Sequence, residues 1–136
     1  MLRSSLPLTR PVTVATLDQL SADVIRDVDF TLHDLFAATA RGAYTALISG
    51  KTIERCRIQG PGVLLSSSGT TFTDVNFGDH RGGMGNLLVR SLGDKLIGSV
   101  PLRDCAFISC EFYGVGFSGS EDFLQEMMKL ADGPAR

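Results

Sequence analysis

Between Val100 and Gly119 the chain reads VPLRD CAFIS CEFYG VGFSG, and Leu102, Phe107, Phe112 and Phe117 recur in it at every fifth position. Neither an α-helix, with about 3.6 residues per turn, nor a strand, with a period of two, produces such a beat. Val100, Cys105, Cys110 and Val115 stand two places before each large residue, so each block carries one small and one large apolar side chain. A chain winding about its own axis, each block forming one side of a square coil, buries both sets together. The beat predicts stacked columns of side chains.

The same phase holds Phe72 and Phe77, and also Leu87, Leu92 and Ile97. Ile48, Ile53, Ile58 and Val63 keep the spacing but are shifted by one, as if a residue were lost in a turn between Ser66 and Thr70. The pattern apolar-x-x-(Cys or Val)-x-apolar recurs as IERCRI at 53–58, FTDVNF at 72–77 and FISCEF at 107–112. With four blocks per coil, residues about 20 apart stack on neighbouring rungs, roughly 4.8 Å from each other. The expected columns are Ile53, Phe72, Leu92 and Phe112, then Ile58, Phe77, Ile97 and Phe117, then Val63, Gly82 and Leu102.

The blocks CAFIS, CEFYG, VGFSG, VPLRD, TTFTD and VNFGD resemble those of the pentapeptide-repeat family, over about half of the chain. The resemblance implies a right-handed quadrilateral β-helix. Arg90 and Lys95 fall where that family has small buried residues, and Gly82 falls where it has Leu or Phe. From His80 to Ser99 the coil is therefore expected to open into a loop. Some members of the family bind DNA gyrase by imitating the shape and charge of duplex DNA. Such mimicry needs a long, strongly negative rod, whereas 13 basic and 15 acidic residues give this chain a formal charge of −2. A topoisomerase-binding role therefore ranks below a general interaction role, and the same balance disfavours nucleic acid as a partner.

A single domain, residues 1–136, is expected, in three zones. Residues 1–44 form an irregular or edge-strand arm, kept from helix by Pro7 and Pro11, followed by a partly helical cap. Leu17, Leu20, Val24, Ile25 and Val28 follow helical spacing, TLHD at 31–34 resembles a capping box, and Gly42 is a stop signal. The first 17 residues contain no acid and faintly resemble an organelle transit sequence. Residues 45–119 form the β zone. Residues 120–132 form an amphipathic helix with a Ser118–Glu121 capping box, an apolar stripe of Phe123, Leu124, Met127, Met128 and Leu130, and stops at Gly133 and Pro134. The expected fold is mainly β: a short right-handed parallel β-helix with a helical N-terminal region and a C-terminal amphipathic helix. The helical ends would cover the open coil ends, and Met127, Met128 and Leu130 would be shared with a second copy in a homodimer.

Chemistry has few places in this sequence. No apolar run reaches the length of about 20 residues that a membrane span needs. Three Cys, an odd number, suit a reducing cytoplasm better than a disulfide framework. Cys56, Cys105 and Cys110 take small core positions, so neither a metal site nor a nucleophile is expected, and no cofactor. GDHRGGMGN at 78–86 lacks the ending of a phosphate loop. It holds the densest polar cluster where the beat fails, which makes Asp79, His80, Arg81, Met84 and Asn86 candidate binding residues. Asp74 and Asp79, at equivalent places in consecutive blocks, would be the carboxylates of the alternative reading, a carbohydrate-active β-helix enzyme. The leading expectation is a non-catalytic interaction or scaffold module with a protein partner. Phe112→Asp should abolish cooperative folding; an unchanged melting curve would overturn the core assignment.

Overall fold

The computed structural model describes residues 8–130. It is a mixed α/β fold with parallel sheets. Helix α1 (Leu17–Ser21) precedes strands β1 (Val24–Arg26) and β2 (Asp29–Thr31), and α2 (Leu32–Ala40) follows directly. Strands β3 (Ile48–Ser49), β4 (Thr52–Glu54), β5 (Arg57–Ser66) and β6 (Thr71–Thr73) lead to a 3-10 turn at Met84–Leu87. Strands β7 (Val100–Arg103), β8 (Ala106–Ile108) and β9 (Glu111–Gly119) run into α3 (Glu121–Lys129).

One sheet has the order β1-β4-β8-β6; the other has the order β2-β5-β7-β3, with β9 also paired to β5. Every pairing between these strands is parallel. Four tiers of chain are stacked in this way, 24–31, 48–66, 100–119 and 71–89, and the last tier in the sequence lies between the second and the third. The columns differ from those expected for neighbours about 20 residues apart. Ile25, Ile53, Phe107 and Phe72 share one register, and Phe30, Ile58 and Phe112 another. Leu92 and Ile97 belong to no column and stand in solvent, in the expected loop.

The five-residue beat has a backbone cause. Asp27, Arg55, Ser109 and Asp74 each follow a three-residue strand, and all have φ between 51° and 55°. That left-handed residue swings the chain through a corner, after which a small inward side chain and a new strand follow. The ladder continues through the bend: Asp27 N–H donates to Glu54 O at 3.1 Å, Arg55 N–H to Ile108 O at 2.9 Å and Ser109 N–H to Thr73 O at 2.9 Å. Gly50 (φ 70°) and Asp104 (φ 53°) form a second corner of this type.

The small position just inside a corner also forms a bond where it is Cys. Cys56 Sγ donates to Ile25 O at 3.6 Å, Cys105 Sγ to Ile48 O at 3.5 Å and Cys110 Sγ to Ile53 O at 3.2 Å. Each thiol reaches a carbonyl of the tier beneath, where Val28 and Val75 can only pack. Lys51 occupies the corresponding place before Ile53, and its buried Nζ donates to Leu20 O at 3.1 Å and Ala22 O at 2.7 Å at the end of α1. Burial lowers its pKa, and Asp23 opposes that fall.

Several expected elements change identity. Residues 24–31 are strands rather than helix: IRDVDF at 25–30 is a further copy of the corner pattern, with Ile25, Val28 and Phe30 buried. The phase change begins before Ser66, at Gly60 and Pro61, where the β5–β9 register shifts between Gln59 and Gly62. Leu64, not Val63, consequently fills the inward place, and Gly82 lies outside the column it was assigned. Thr31 caps α2 as TLHD suggests, accepting from Asp34 N–H at 3.0 Å, and the helix ends at the expected Gly42 (φ 89°), with Arg41 (φ 50°) left-handed at the C-cap before it. Ser120 rather than Ser118 caps α3, accepting from Phe123 N–H at 3.2 Å. Pro7 and the stops at Gly133 and Pro134 lie outside the described residues.

Five phenylalanines meet in the core. Phe72 stacks on Phe107 at 5.1 Å and Phe77 on Phe112 at 6.0 Å, while Phe117 stands edge-on to Phe112 at 5.0 Å. Such ring pairs add about 0.5–1.5 kcal/mol each beyond area burial. Leu20, Leu32, Leu35 and Ala38 are buried at the helical start of the chain, and Leu124, Met127 and Leu130 at its end, where α3 packs on β9 and the 3-10 turn. Met127 and Leu130 are thus spent inside the chain, and of the three residues assigned to a dimer only Met128 is exposed. Ser109→Gly should raise stability by about 0.5 kcal/mol by relieving the left-handed backbone, while Ser109→Val should lower it by about 1–2 kcal/mol. Equal urea midpoints for the two variants would contradict this account of the corner.

Candidate functional site

The top tier follows the wall to Phe77 and then leaves it. Asn76 Oδ1 accepts from Gly78 N–H at 2.9 Å, and at Gly78 (φ 90°) a Cβ would stand 2.4 Å from Phe112 O, so the chain passes too close for any side chain. Asp79 Oδ1 then accepts from Arg81 N–H at 2.8 Å, and Arg81 turns through φ 54°. Asn86 closes the loop by donating from Nδ2 to His80 O at 2.9 Å and Arg81 O at 3.2 Å. The tier regains the wall where Leu88 bridges Phe117.

Between the bridges Asn76–Glu111 and Leu88–Phe117, β9 is left partly uncovered. A cleft of about 420 Å³ opens there, lined by Asp79, His80, Arg81, Asn86 and Leu87 together with residues 113–116. The structure therefore brings together four of the five sequence candidates. Met84 is the exception: it is buried in the core at 4% exposure and serves packing. His80 Nδ1 is buried and has no hydrogen-bond partner among the described residues. A buried nitrogen without a partner costs roughly 1–3 kcal/mol, which a ligand group able to bond it would recover.

Tyr113, on the far wall of the cleft, escaped the sequence reading because it occupies an outward position of the repeat. Its hydroxyl donates to Glu111 Oε1, whose other oxygen accepts from Leu8 N–H. Burial, with the neighbouring carboxylate, pushes the Tyr113 phenol up to about 12. Glu111 in turn continues an outward row of Asp29, Arg57 and Glu111 across β2, β5 and β9. Arg10, from the N-terminal arm, binds Asp29 at 2.7 Å, and Arg57 binds it at 3.3 Å. Burial alone would raise the Asp29 carboxyl; hydrogen bonds from Arg10 and Thr13 N–H and the charge of Arg57 hold it below the usual value. The arm is therefore tied over charged rows, as an irregular segment whose Val14 bridges Asp29.

The two carboxylates of the enzyme reading both sit in turns. Asp74 is a left-handed corner residue and Asp79 an acceptor within its own loop. Among the described residues no three His, Cys, Asp or Glu side chains are grouped to hold a metal ion. No helix among them is long and apolar enough to cross a membrane. No protein-family model matches the chain, nor does any curated protein or solved structure.

Cys56, Cys105 and Cys110 are buried free thiols, and burial raises the pKa of each, that of Cys110 to about 12. Thiolate attack is correspondingly suppressed. The native protein should resist an aromatic disulfide reagent, and all 3 thiols should react once it is unfolded in urea. Rapid stoichiometric labelling of the native chain would contradict their burial.

Proposed function

We propose that the chain is a short right-handed parallel β-helix, related in design to the pentapeptide-repeat proteins, that acts as a non-catalytic binding module for a protein partner. All-parallel pairing and the recurrent left-handed corners support the β-helix, with the last turn of sequence inserted between two earlier ones. The binding role rests on one observation: His80 Nδ1 lies buried, without a partner among the described residues, at a cleft formed where the top tier leaves the wall. Asp79 and Arg81 flank it with opposite charges, and Asn86 holds the loop in shape through two backbone carbonyls. A partner loop that offers a hydroxyl or amide to His80, and complementary charge to Asp79 and Arg81, fits this arrangement. Rim charges of this kind serve orientation more than affinity.

The test is affinity capture with the full chain and with the double variant His80→Ala and Arg81→Ala. Proteins retained by the wild type should be lost from the variant, whose thermal unfolding should lie no lower than that of the wild type, because neither side chain belongs to the core cluster. Retention of the same proteins by both would overturn the assignment of this cleft.

A further inference from the structure

The N-terminal arm leaves an open strand edge beside β2. Val14 bridges Asp29 in parallel, with Asp29 N–H donating to Thr13 O at 2.7 Å and Ala15 N–H donating to Asp29 O at 2.9 Å. Thr13 N–H also turns toward the body and donates to Asp29 Oδ2 at 2.7 Å. Along an extended chain the backbone groups of successive residues point to opposite edges, so those of Val12 and Val14 point away from β2. None of these N–H and C=O groups makes a hydrogen bond among the described residues. Both valine side chains are 74% exposed.

Other strand edges of the stack are guarded. The free edge of β1 carries Arg26, ion-paired with Glu54 at 2.8 Å, and a charge of this kind discourages pairing with another chain. The free edge of β6 is three residues long with Thr71 and Thr73 outward, and the left-handed corner at Asp74 ends it at once. The arm has neither guard. Its segment PVTVAT at 11–16 carries no charge, and the adjacent cation, Arg10, is engaged by Asp29 at 2.7 Å. An uncharged, β-branched edge with free backbone groups is a template for a further strand.

The strand that fits must itself be extended and uncharged, with side chains that pack on valine, and the arm of another copy has that chemistry. Let two arms run antiparallel about a two-fold axis through Thr13. Val12 of each copy then stands opposite Val14 of the other, and each such pair exchanges both of its N–H···O bonds. The valines meet as cross-strand pairs on one face, and no like charges are opposed. Pro11 falls opposite Ala15, in a pair that exchanges no hydrogen bonds, so its missing N–H costs nothing there. The surface is therefore complementary to itself, as a two-fold contact requires.

We propose that the arm is a dimerisation strand: two copies of the chain join antiparallel through residues 11–15, so that the sheet of β2, β5 and β9 runs on from one copy into the other. This contact takes the place of the one expected at α3, where Met127 and Leu130 are already buried within the chain. It does not depend on the role of the His80 cleft. A contact of this size is small, so the dimer is reversible.

Sedimentation equilibrium of the full chain over about a hundredfold range of concentration should show monomer and dimer in exchange. The double variant Val12→Lys and Val14→Lys sets Lys against Lys in every pair and should weaken the dimer at least about tenfold, as should Val12→Glu with Val14→Glu. All these positions are exposed, so the melting curves of both variants should match the wild type. Mixing the Lys chain with the Glu chain should restore a heterodimer, a result that a displaced arm would not give. Met128→Lys should leave the wild-type dimer intact. The proposal is overturned if the chain stays monomeric across the range, if the dimer survives in both double variants, if their mixture stays monomeric, or if Met128→Lys dissociates it.

Discussion

A left-handed residue at the end of a three-residue strand is a local cost of about 1 kcal/mol for anything but glycine, and this chain accepts it again and again at one corner. Asp27, Arg55, Ser109 and Asp74 lie in successive tiers of the same sheet, each with nearly the same φ. The compensation is collective. Holding the bend at one place in every tier lets the N–H of three of these corner residues bond the tier above, and lets the following Val or Cys and the next large residue drop into register. Asp and Arg tolerate the bend partly through each other: Arg55 Nε binds Asp27 Oδ1 at 2.8 Å. The Phe core, the thiol contacts and the charged rows all presuppose the corner.

The order of the tiers follows from a different constraint. Tier 100–119 carries the most complete set of inward residues, Leu102, Phe107, Phe112 and Phe117, all at or below 1% exposure. Placed at an end of the stack, those rings would have lost one neighbour. Between tiers 48–66 and 71–89 they have apolar contacts on both sides: Ile53 below Phe107 and Phe72 above it, Ile58 below Phe112 and Phe77 stacked on it. A consequence is that β6 has no strand to pair with until β8 is in place. Contacts between distant parts of the chain therefore dominate its assembly.

The beat at 100–119 and the Cys or Val positions were legible because one tier, taken alone, already shows large and small residues in alternation. IRDVDF was misread because Ile25 and Val28 are three apart, a spacing shared by this corner and by a helical face. Nothing in one strand says which tier will cover it, and the ordinary expectation that consecutive segments are neighbours failed. The phase change was placed late because Val63 keeps the beat on paper, whereas Gly60 and Pro61 add length that only pairing with β9 exposes. At the candidate site, Asp79, His80, Arg81 and Asn86 were visible as a polar interruption. Tyr113 was hidden in the outward phase of a regular block.

The His80 cleft and a second hollow, of about 560 Å³ where β5 and β9 end, have one structural origin. Tier 71–89 pairs with tier 100–119 through the short strand β6 and the bridges at Asn76 and Leu88, and after Gly78 its chain bulges away from the wall before returning at Leu88. The gap between these points becomes the His80 cleft, and the end beyond them, where Ser66 faces Gly119 across the strand pair, becomes the hydroxyl-lined one. A complete tier would have placed large side chains at both positions and closed them. Arg90 and Lys95 stand in that incomplete stretch, too polar for the inward places the beat would give them, and the Arg90–Glu121 ion pair at 2.8 Å instead ties the loop to the start of α3. Departure from the repeat thus forms both openings, while the regular tier beneath them stays paired along β5 and packed in the core.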